Sequence, residues 1–451
     1  MEEHTNKYQE QTLFSISWPL FIELALHMGI GIAATLMLSH YSDAAAAGVG
    51  VANQLLNIFI LVFNITSIGG TVLISQNLGA GRLNKARQLA RSVFGLNFWF
   101  GISVAIIIFL LGEHLLGLFD IHGKVLNYGL TFVRICGVSL VLESISLALS
   151  AVLRSHGYTK ESMIVTVVMD LISITGNIIA TSGMFGLPIT GVSGVSWGIV
   201  AARIYAVCAL LYLVNNRLAL QIKISDIFIK NKENIRGLLS IGIPSAGENL
   251  SYQFSQLIIT GFVVSMGTAS LAARVYILNI TMICYLFTLA IAQGTQLLVA
   301  RNVGARLFDK ALHRGIHTLK IAMATSLFTS LTLAIIGSPI LKIFTSDPNI
   351  IAVGLPVLWA IVFIEPGRAM NIVLMSSLKS AGDVRFPVII GMISMWGVAV
   401  SLSYLLGVHY GFGLLGIWLA QGADEWLRGS FALRRWLSKP WERQTKAHII
   451  A

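Results

Sequence analysis

Charge is scarce in this chain. Charged residues make up 11% of its 451 residues and hydrophobic residues 55%, whereas about 25% of the residues in an average soluble domain are charged. A water-soluble protein needs more charge than this to cover its surface. The composition therefore excludes an ordinary soluble enzyme or binding domain and indicates a protein embedded in a membrane.

Cysteine and catalytic motifs are equally scarce. The three cysteines, Cys136, Cys208 and Cys284, lie inside predicted helices, so we interpret them as small apolar residues and expect neither disulfides nor a metal site. The sequence has no Gly-x-x-x-x-Gly-Lys-Ser/Thr phosphate loop, which argues against ATP-driven transport by this chain alone. No histidine near a helix interior has an obvious nucleophile partner, so we expect no catalytic site and no resident cofactor.

Long apolar segments are abundant instead. Twelve of them fill the chain, and most are about 20 residues or longer, enough to cross the ~30 Å hydrocarbon layer of a bilayer as a helix. The hydrophobic pattern predicts helices near 14–39, 44–74, 89–112, 126–150, 162–186, 190–214, 237–263, 268–300, 315–337, 350–377, 387–408 and 411–437.

The second half of the chain repeats the first at a constant offset of 225 residues. Pro19 and Glu23 recur as Pro244 and Glu248. Five of the ten residues in 77–86 recur at their counterparts, where average composition would give roughly one. Duplicated helical halves place a pathway between them, which is the architecture of transporters.

Six helices per half bring both halves into the membrane in the same orientation, so the repeat is parallel, about an axis along the membrane normal. We therefore predict an all-α membrane protein with twelve transmembrane helices. It consists of an N-lobe over residues 1–215, a polar and basic cytoplasmic linker over 216–236, and a C-lobe over 237–451.

Basic residues alternate between the predicted connections. Of the 31 lysines and arginines, 24 fall on one side, only Lys124 and Lys342 fall on the other, and five lie within helices. The positive-inside rule places the basic connections and both termini in the cytoplasm. The net charge of +11 is therefore a topology signal, and we expect a lipid bilayer rather than nucleic acid as its partner.

Glu248 is the most informative ionisable residue within a predicted helix. It follows Pro244 and precedes a polar arc at helical spacing that includes Asn249, Tyr252, Gln253 and Gln256. Such an arc is typical of a wet cavity, where a carboxylate can bind a proton or a cation. A glutamate hydrogen-bonded into helix packing is the alternative.

Three further helices carry acidic candidates. Glu23 occupies the position equivalent to Glu248 and fits either ion binding or a cytoplasmic gate, and Asp170 lies in the fifth predicted helix. Glu365 and Arg368 stand three residues apart across Pro366-Gly367, where we predict an interrupted helix with an internally neutralised pair. Each ionisable group at membrane depth needs a partner or a function, because its insertion costs roughly 2.5–3.5 kcal/mol.

Several features together resemble the multidrug and toxic compound extrusion family. They are the two six-helix halves, a proline near each half's start, a basic Gly-Ala loop after the second and eighth helices, and Leu-Arg-Ser-His-Gly at 153–157 against Leu-Lys-Ser-Ala-Gly at 378–382. The resemblance covers essentially the whole chain. It implies a V-shaped pair of bundles that alternates between inward-open and outward-open states and exports cationic amphiphiles in exchange for H+ or Na+.

The family's site residues carry over unevenly. Glu248 matches the acidic residue of the family's seventh helix, and Asn177 matches the asparagine of its fifth-helix Asn-x-x-x-Asp motif. Thr181 stands where that motif has aspartate, Ala34 stands where the first helix has aspartate, and Arg368 falls at a tenth-helix aspartate of some members. The usual N-lobe cation site is thereby placed in doubt, and Glu248 is left as the expected titrating group.

Three functions are compatible with these features. The favoured one is a monomeric antiporter of the bacterial cytoplasmic membrane that exports small organic cations and amphiphiles. The alternative is a flippase for lipid-linked or anionic substrates, which the intramembrane residues Arg134, Arg203, Arg274 and Arg368 favour. An uncoupled channel would require neither the two-lobe repeat nor broken helices.

Overall fold

The computed structural model describes residues 12–183, 188–218, 220–228 and 231–442. Helices occupy all twelve predicted positions, and the described part of the chain contains no β-strand. The N-terminal half contains α1 Leu13–Tyr41, α2 Asp43–Gly79, α3 Leu83–Gly117, α4 as the pair Gly123–Val138 and Leu140–Ser155, α5 Thr159–Ser182 and α6 Gly191–Leu218. The C-terminal half contains α7 Lys232–Ser265, α8 Thr268–Gly304, α9 Phe308–Ile335, α10 Pro348–Ser380, α11 Arg385–His409 and α12 Gly413–Leu437.

Short helical pieces complete this list. A 3₁₀ turn, Ile224–Ile227, lies in the connection between α6 and α7, and the helix Gly337–Phe344 follows α9. Within the described ranges, nine helices are each long and apolar enough to cross a membrane, and the bent α4 pair makes a tenth span. The more polar α7 and α12 do not reach that threshold. The protein is therefore a multi-pass all-α membrane protein, while the count of twelve crossings stays a prediction.

The predicted interruption of α10 at Pro366-Gly367 is wrong, because the helix continues from Pro348 to Ser380 without a break. Proline removes a backbone donor and usually distorts a helix. Here the indole N–H of Trp426 on α12 donates to the carbonyl of Phe363 in the same turn, at 2.9 Å. A neighbouring helix thus supplies a hydrogen bond to the backbone beside the proline, which is how membrane helices tolerate proline.

Two helices other than α10 are irregular: α4 is bent, and α11 contains π-helical turns. The two parts of α4 meet at Ser139 with a bend of 48°. Two π-helical stretches, Met395–Val400 and Ser403–His409, occur within α11. Such π-helical turns are frequently found at functional sites. The first one begins directly after Ser394, whose hydroxyl donates to Asp424 on α12.

The chain packs into two compact units. Unit 1 contains Ile22–Gly242, and unit 2 contains Thr12–Phe21 together with the chain from Ile243 onward. The first turns of α1 thus belong to unit 2, and the first turns of α7 belong to unit 1. The predicted lobe limits at 215 and 237 stay a prediction about which segments move together.

In unit 1, the start of α7 joins an apolar core. Leu238 is fully buried in a cluster with Leu89, Val93 and Leu149. A Cβ atom added at Gly69 of α2 would overlap the carbonyl oxygen of Leu238, so glycine permits this close approach. Unit 1 contains a second apolar cluster around Phe63 and Phe132.

Unit 2 repeats this arrangement at the offset of 225. Gly294 of α8 is the counterpart of Gly69, and a Cβ atom added there would overlap the hydroxyl of Ser17 and lie 3.5 Å from a methyl group of Leu13, the counterpart of Leu238. The rings of Phe21 and Phe287 stack nearby at 4.0 Å. The repeat in the sequence thus has a counterpart in the packing. The start of α7 packs within unit 1, and the start of α1 packs within unit 2, which we call the exchange of helix starts.

Candidate functional site

Glu248 forms an ion pair on its own unit. The Nζ atom of Lys379, at the end of α10, donates to Oε2 of Glu248 at 2.5 Å, and both side chains are less than a fifth exposed. Gly391 on α11 faces the same carboxylate, since a Cβ atom added there would lie 3.1 Å from Oε1 of Glu248. A carboxylate held this closely by an ammonium group has a fixed partner, which sequence reasoning did not identify.

The equivalent pair occurs in unit 1. Arg154, at the end of α4, lies 3.5 Å from Oε1 of Glu23, and the hydroxyl of Thr166 on α5 donates to the same oxygen at 3.3 Å. Glu23 and Glu248 are 225 residues apart, as are Arg154 and Lys379. Both halves therefore join the acid after the helix proline to the base of the Leu-Arg/Lys-Ser motif. That shared offset was the signal that could have predicted both pairs.

The predicted polar arc after Glu248 divides into two groups. Asn249, Tyr252 and Gln253 are exposed on α7. Gln256 is half-buried, and its Oε1 accepts a hydrogen bond from Nη2 of Arg274 on α8 at 3.0 Å. Three residues of the arc are therefore exposed, and the fourth, Gln256, forms a hydrogen bond within unit 2.

Arg274 is a buried cation. Its side chain is 4% exposed and its guanidinium lies 5.3 Å from the ring centre of Trp418. Its Nη1 atom has no hydrogen-bond partner, and no carboxylate among the described residues forms an ion pair with it. In contrast, Arg134, Arg203 and Arg368 each pair with a glutamate.

Glu365 and Arg368 are brought together as predicted, and α12 extends the pair into a cluster. Nη1 of Arg368 donates to Oε1 of Glu365 at 2.6 Å, and Nε lies 3.5 Å from Glu425. Arg428 pairs with Asp424 at 2.5 Å and with Glu425 at 3.5 Å. The cluster, which we call the α10–α12 cluster, holds three carboxylates and two guanidinium groups. The sequence analysis predicted the pair within α10 and gave no indication of its link to α12.

In unit 1, Arg203 of α6 occupies the bend of α4. Its Nη1 donates to the carbonyl of Cys136 at 3.0 Å and to the hydroxyl of Ser139 at 2.5 Å, and its Nε donates to Glu143 at 3.1 Å. One guanidinium thus contacts residues before, at and after the break. Its bond to the carbonyl of Cys136 supplies a hydrogen bond to the backbone in the last turn before the bend.

Asp170 has a histidine partner. The carboxylate on α5 is 5% exposed, and both its oxygens lie 3.2 Å from Nδ1 of His27 on α1. The imidazole itself is 67% exposed. Asn177, two turns further along α5, is buried, and its Oδ1 atom has no hydrogen-bond partner among the described residues. Nothing in the sequence linked His27 to Asp170, because 143 residues separate them.

Known proteins are similar to this chain over nearly its whole length. The model of the MatE family matches residues 19–179 and 244–405, so the two matches begin 225 residues apart. An uncharacterised transporter of Bacillus subtilis, YisQ, is 41% identical over 95% of this chain and 94% of its own length. A probable multidrug resistance protein of Thermotoga maritima, NorM, is 26% identical over 96% and 93%.

Solved structures share the fold. A MATE transporter from Vibrio cholerae superposes with a TM-score of 0.87 over 98% of this chain and all of that chain, at 16% identity. The family match over both halves and the 41% identical relative confirm the resemblance found in the sequence. The chain therefore belongs to the MatE family of multi-pass membrane transporters.

Proposed function

We propose that this protein is a secondary active exporter of small organic compounds, cationic or amphiphilic, in exchange for H+ or Na+. We further propose that it acts as a monomer in the bacterial cytoplasmic membrane with both termini in the cytoplasm. Membership of a transporter family supports this, as does the name of the relative from Thermotoga maritima, a probable multidrug resistance protein.

The observation that carries the proposal is the set of carboxylates inside the helices. They are Glu23, Glu143, Asp170, Glu248, Glu365, Asp424 and Glu425, and each contacts a basic side chain of its own unit. Charged groups at membrane depth are costly, and in transporters they mark ion and substrate pathways. A channel would not need so many paired charges, whereas ion-coupled transport requires groups whose partners or protons change between states.

Purified protein in proteoliposomes tests the proposal. A permanently charged dye such as ethidium should leave a compartment against its gradient when a proton or a sodium gradient is imposed, and should not do so when both gradients are collapsed. Dye movement that ignores both gradients would support a channel and contradict antiport.

The second candidate is a flippase for lipid-linked or anionic substrates. Arg274 is the observation that favours it, because a buried guanidinium that has no carboxylate partner among the described residues is suited to a phosphate or a carboxylate of a ligand. In the same vesicles, a fluorescent phospholipid should then become accessible to an external quencher faster with wild-type protein than with Arg274→Gln. Unchanged lipid accessibility would exclude this alternative.

A further inference from the structure

Three carboxylates that are buried or half-buried in the membrane-spanning helices of unit 1 form ion pairs, and their basic partners differ in kind. Glu23 contacts Arg154, and Glu143 contacts Arg203. Arginine stays protonated at every physiological pH, so these pairs have a fixed net charge of zero. Asp170 alone has histidine as its basic partner, and histidine gains and loses its proton near neutral pH.

The geometry decides which imidazole nitrogen can exchange a proton. Both oxygens of Asp170 lie 3.2 Å from Nδ1 of His27, so Nδ1 carries the hydrogen that is donated to the carboxylate. A partner of this kind fixes the tautomer and leaves Nε2 to bind the second proton. Since the imidazole side chain is 67% exposed while Asp170 is buried, the histidine is the accessible partner of the pair.

Among these three pairs, His27–Asp170 is the one whose basic partner can change its charge near neutral pH. Glu23 lies one turn away on α1, and Glu143 on α4 also interacts electrostatically with His27. Their arginine partners, Arg154 and Arg203, come from α4 and α6. With both fixed pairs neutral, the pair His27–Asp170 is neutral when the imidazole is protonated and carries one negative charge when it is not.

We propose that His27 and Asp170 form the proton-coupling site of the exporter, in which a proton on Nε2 of His27 and an organic cation compete for the charge of Asp170. This rests on the proposed function and selects H+ as the coupling ion.

The net charge of the His27–Asp170 pair changes by one when His27 gains or loses a proton, and this change controls the binding of the cation. Loss of the proton from Nε2 leaves Asp170 with a neutral hydrogen-bond partner, and the uncompensated charge then attracts the cation. Return of a proton neutralises the pair and weakens the attraction. Binding is reciprocal, so a bound cation must also expel the proton.

Equilibrium binding of ethidium to purified protein in detergent tests the site directly, because the dye's own charge does not change with pH. Wild-type affinity should fall by up to tenfold per pH unit on the acidic side of the imidazole titration and stay constant on the alkaline side. His27→Gln fixes the pair at one negative charge and should bind tightly at every pH. His27→Arg fixes it at zero and should bind weakly at every pH. These two variants have opposite expected affinities, so misfolding cannot produce both results.

His40→Gln is the matched control, since His40 lies on the same helix and its imidazole forms a hydrogen bond with the carbonyl of Leu36. It should keep the wild-type pH dependence. In proteoliposomes, His27→Gln and His27→Arg should both lose export driven by a proton gradient. Substrate-induced proton release, followed with a pH indicator dye, should occur in wild type and be absent from both variants.

The outcomes separate the two proposals. Wild-type export driven by sodium alone, or pH-dependent binding that survives in both His27 variants, would overturn the coupling site and leave the exporter intact. Survival of pH dependence would direct attention to the α10–α12 cluster, where carboxylates outnumber guanidinium groups. Absence of export of any organic cation by wild type under either gradient would overturn the proposed function and the coupling site with it.

Discussion

Removing one partner of the Glu248–Lys379 pair should destabilise the protein more than removing both. Each side chain is less than a fifth exposed, and the ammonium lies 2.5 Å from the carboxylate. Glu248→Gln alone leaves the lysine charge buried without its partner, at a cost of about 2–4 kcal/mol, somewhat below the value for a fully buried pair. The double variant Glu248→Gln/Lys379→Met removes both charges and should lie within about 1 kcal/mol of wild type.

The equivalent pair in unit 1 supplies an internal comparison. Arg154 and Glu23 are 3.5 Å apart, so at equal dielectric their Coulomb attraction is about 1.4-fold weaker than that of the pair at 2.5 Å. A double-mutant cycle on Glu23→Gln and Arg154→Met should therefore give a coupling energy of about 1–2 kcal/mol, against about 2–3 kcal/mol for Glu248 and Lys379.

Unfolding in mixed micelles of denaturing and mild detergent, followed by tryptophan fluorescence, measures these differences. Ethidium export by wild type, Glu248→Gln, Lys379→Met and the double variant shows what the pair does. We expect export to fall tenfold or more in the single variant Glu248→Gln and to recover in the double variant, because the pair holds α7 against α10. A double variant as unstable as the single variants would refute this reasoning. If the double variant is stable but does not export ethidium, Glu248 has a function beyond the ion pair, and the expectation that it gains and loses a proton during transport would be favoured.

Three further expectations can be checked with standard measurements. Reporters fused in the loop after α2 and in the linker before α7 should both report the cytoplasm, and a reporter fused after α3 should report the exterior. An exterior signal at the linker would contradict the parallel repeat. Trp426→Phe should keep the ring against Phe363 but lose the indole hydrogen bond, lowering stability in mixed micelles by about 1 kcal/mol. Gly242→Ala should lower stability by about 1–3 kcal/mol because its Cβ would overlap the carbonyl of Ile65, whereas Gly247→Ala on the same helix meets open space and should raise stability by up to about 1 kcal/mol.

The helices and the repeat could be predicted from the sequence because both are written in local patterns. A segment of about 20 apolar residues has only one way to satisfy its backbone in lipid, which is to form a helix. Helix ends were less accurate: α7 begins at Lys232, several residues before its apolar stretch, because its polar first turns pack within unit 1. The polarity that made this segment resemble a linker gave no indication of that packing.

The sequence holds two kinds of signal for the partners of charged residues: a shared helix, and the offset of 225 that relates Glu23 and Arg154 to Glu248 and Lys379. Glu365 and Arg368 stand three residues apart, and helical geometry brings them together. The contacts of Asp170 with His27 and of Glu143 with Arg203 join residues far apart in the chain, and a single sequence contains no signal for such distances. The Pro-Gly dipeptide was misleading for a similar reason, because the tryptophan that supports the helix there comes from α12.

The exchange of helix starts between the two units restricts the order in which the protein can be assembled at the ribosome. The core of unit 1 includes Leu238, so that unit cannot finish folding when α6 has been synthesised and must wait for the start of α7. The first turns of α1 wait longer still, since the glycine and phenylalanine that receive them are on α8. The nascent first half must therefore remain in the membrane with its earliest helix only partly packed. The first half cannot become native before the second half has begun to enter the bilayer, and the second half needs the start of α1 to complete its own packing, which couples the quality control of each half to the other.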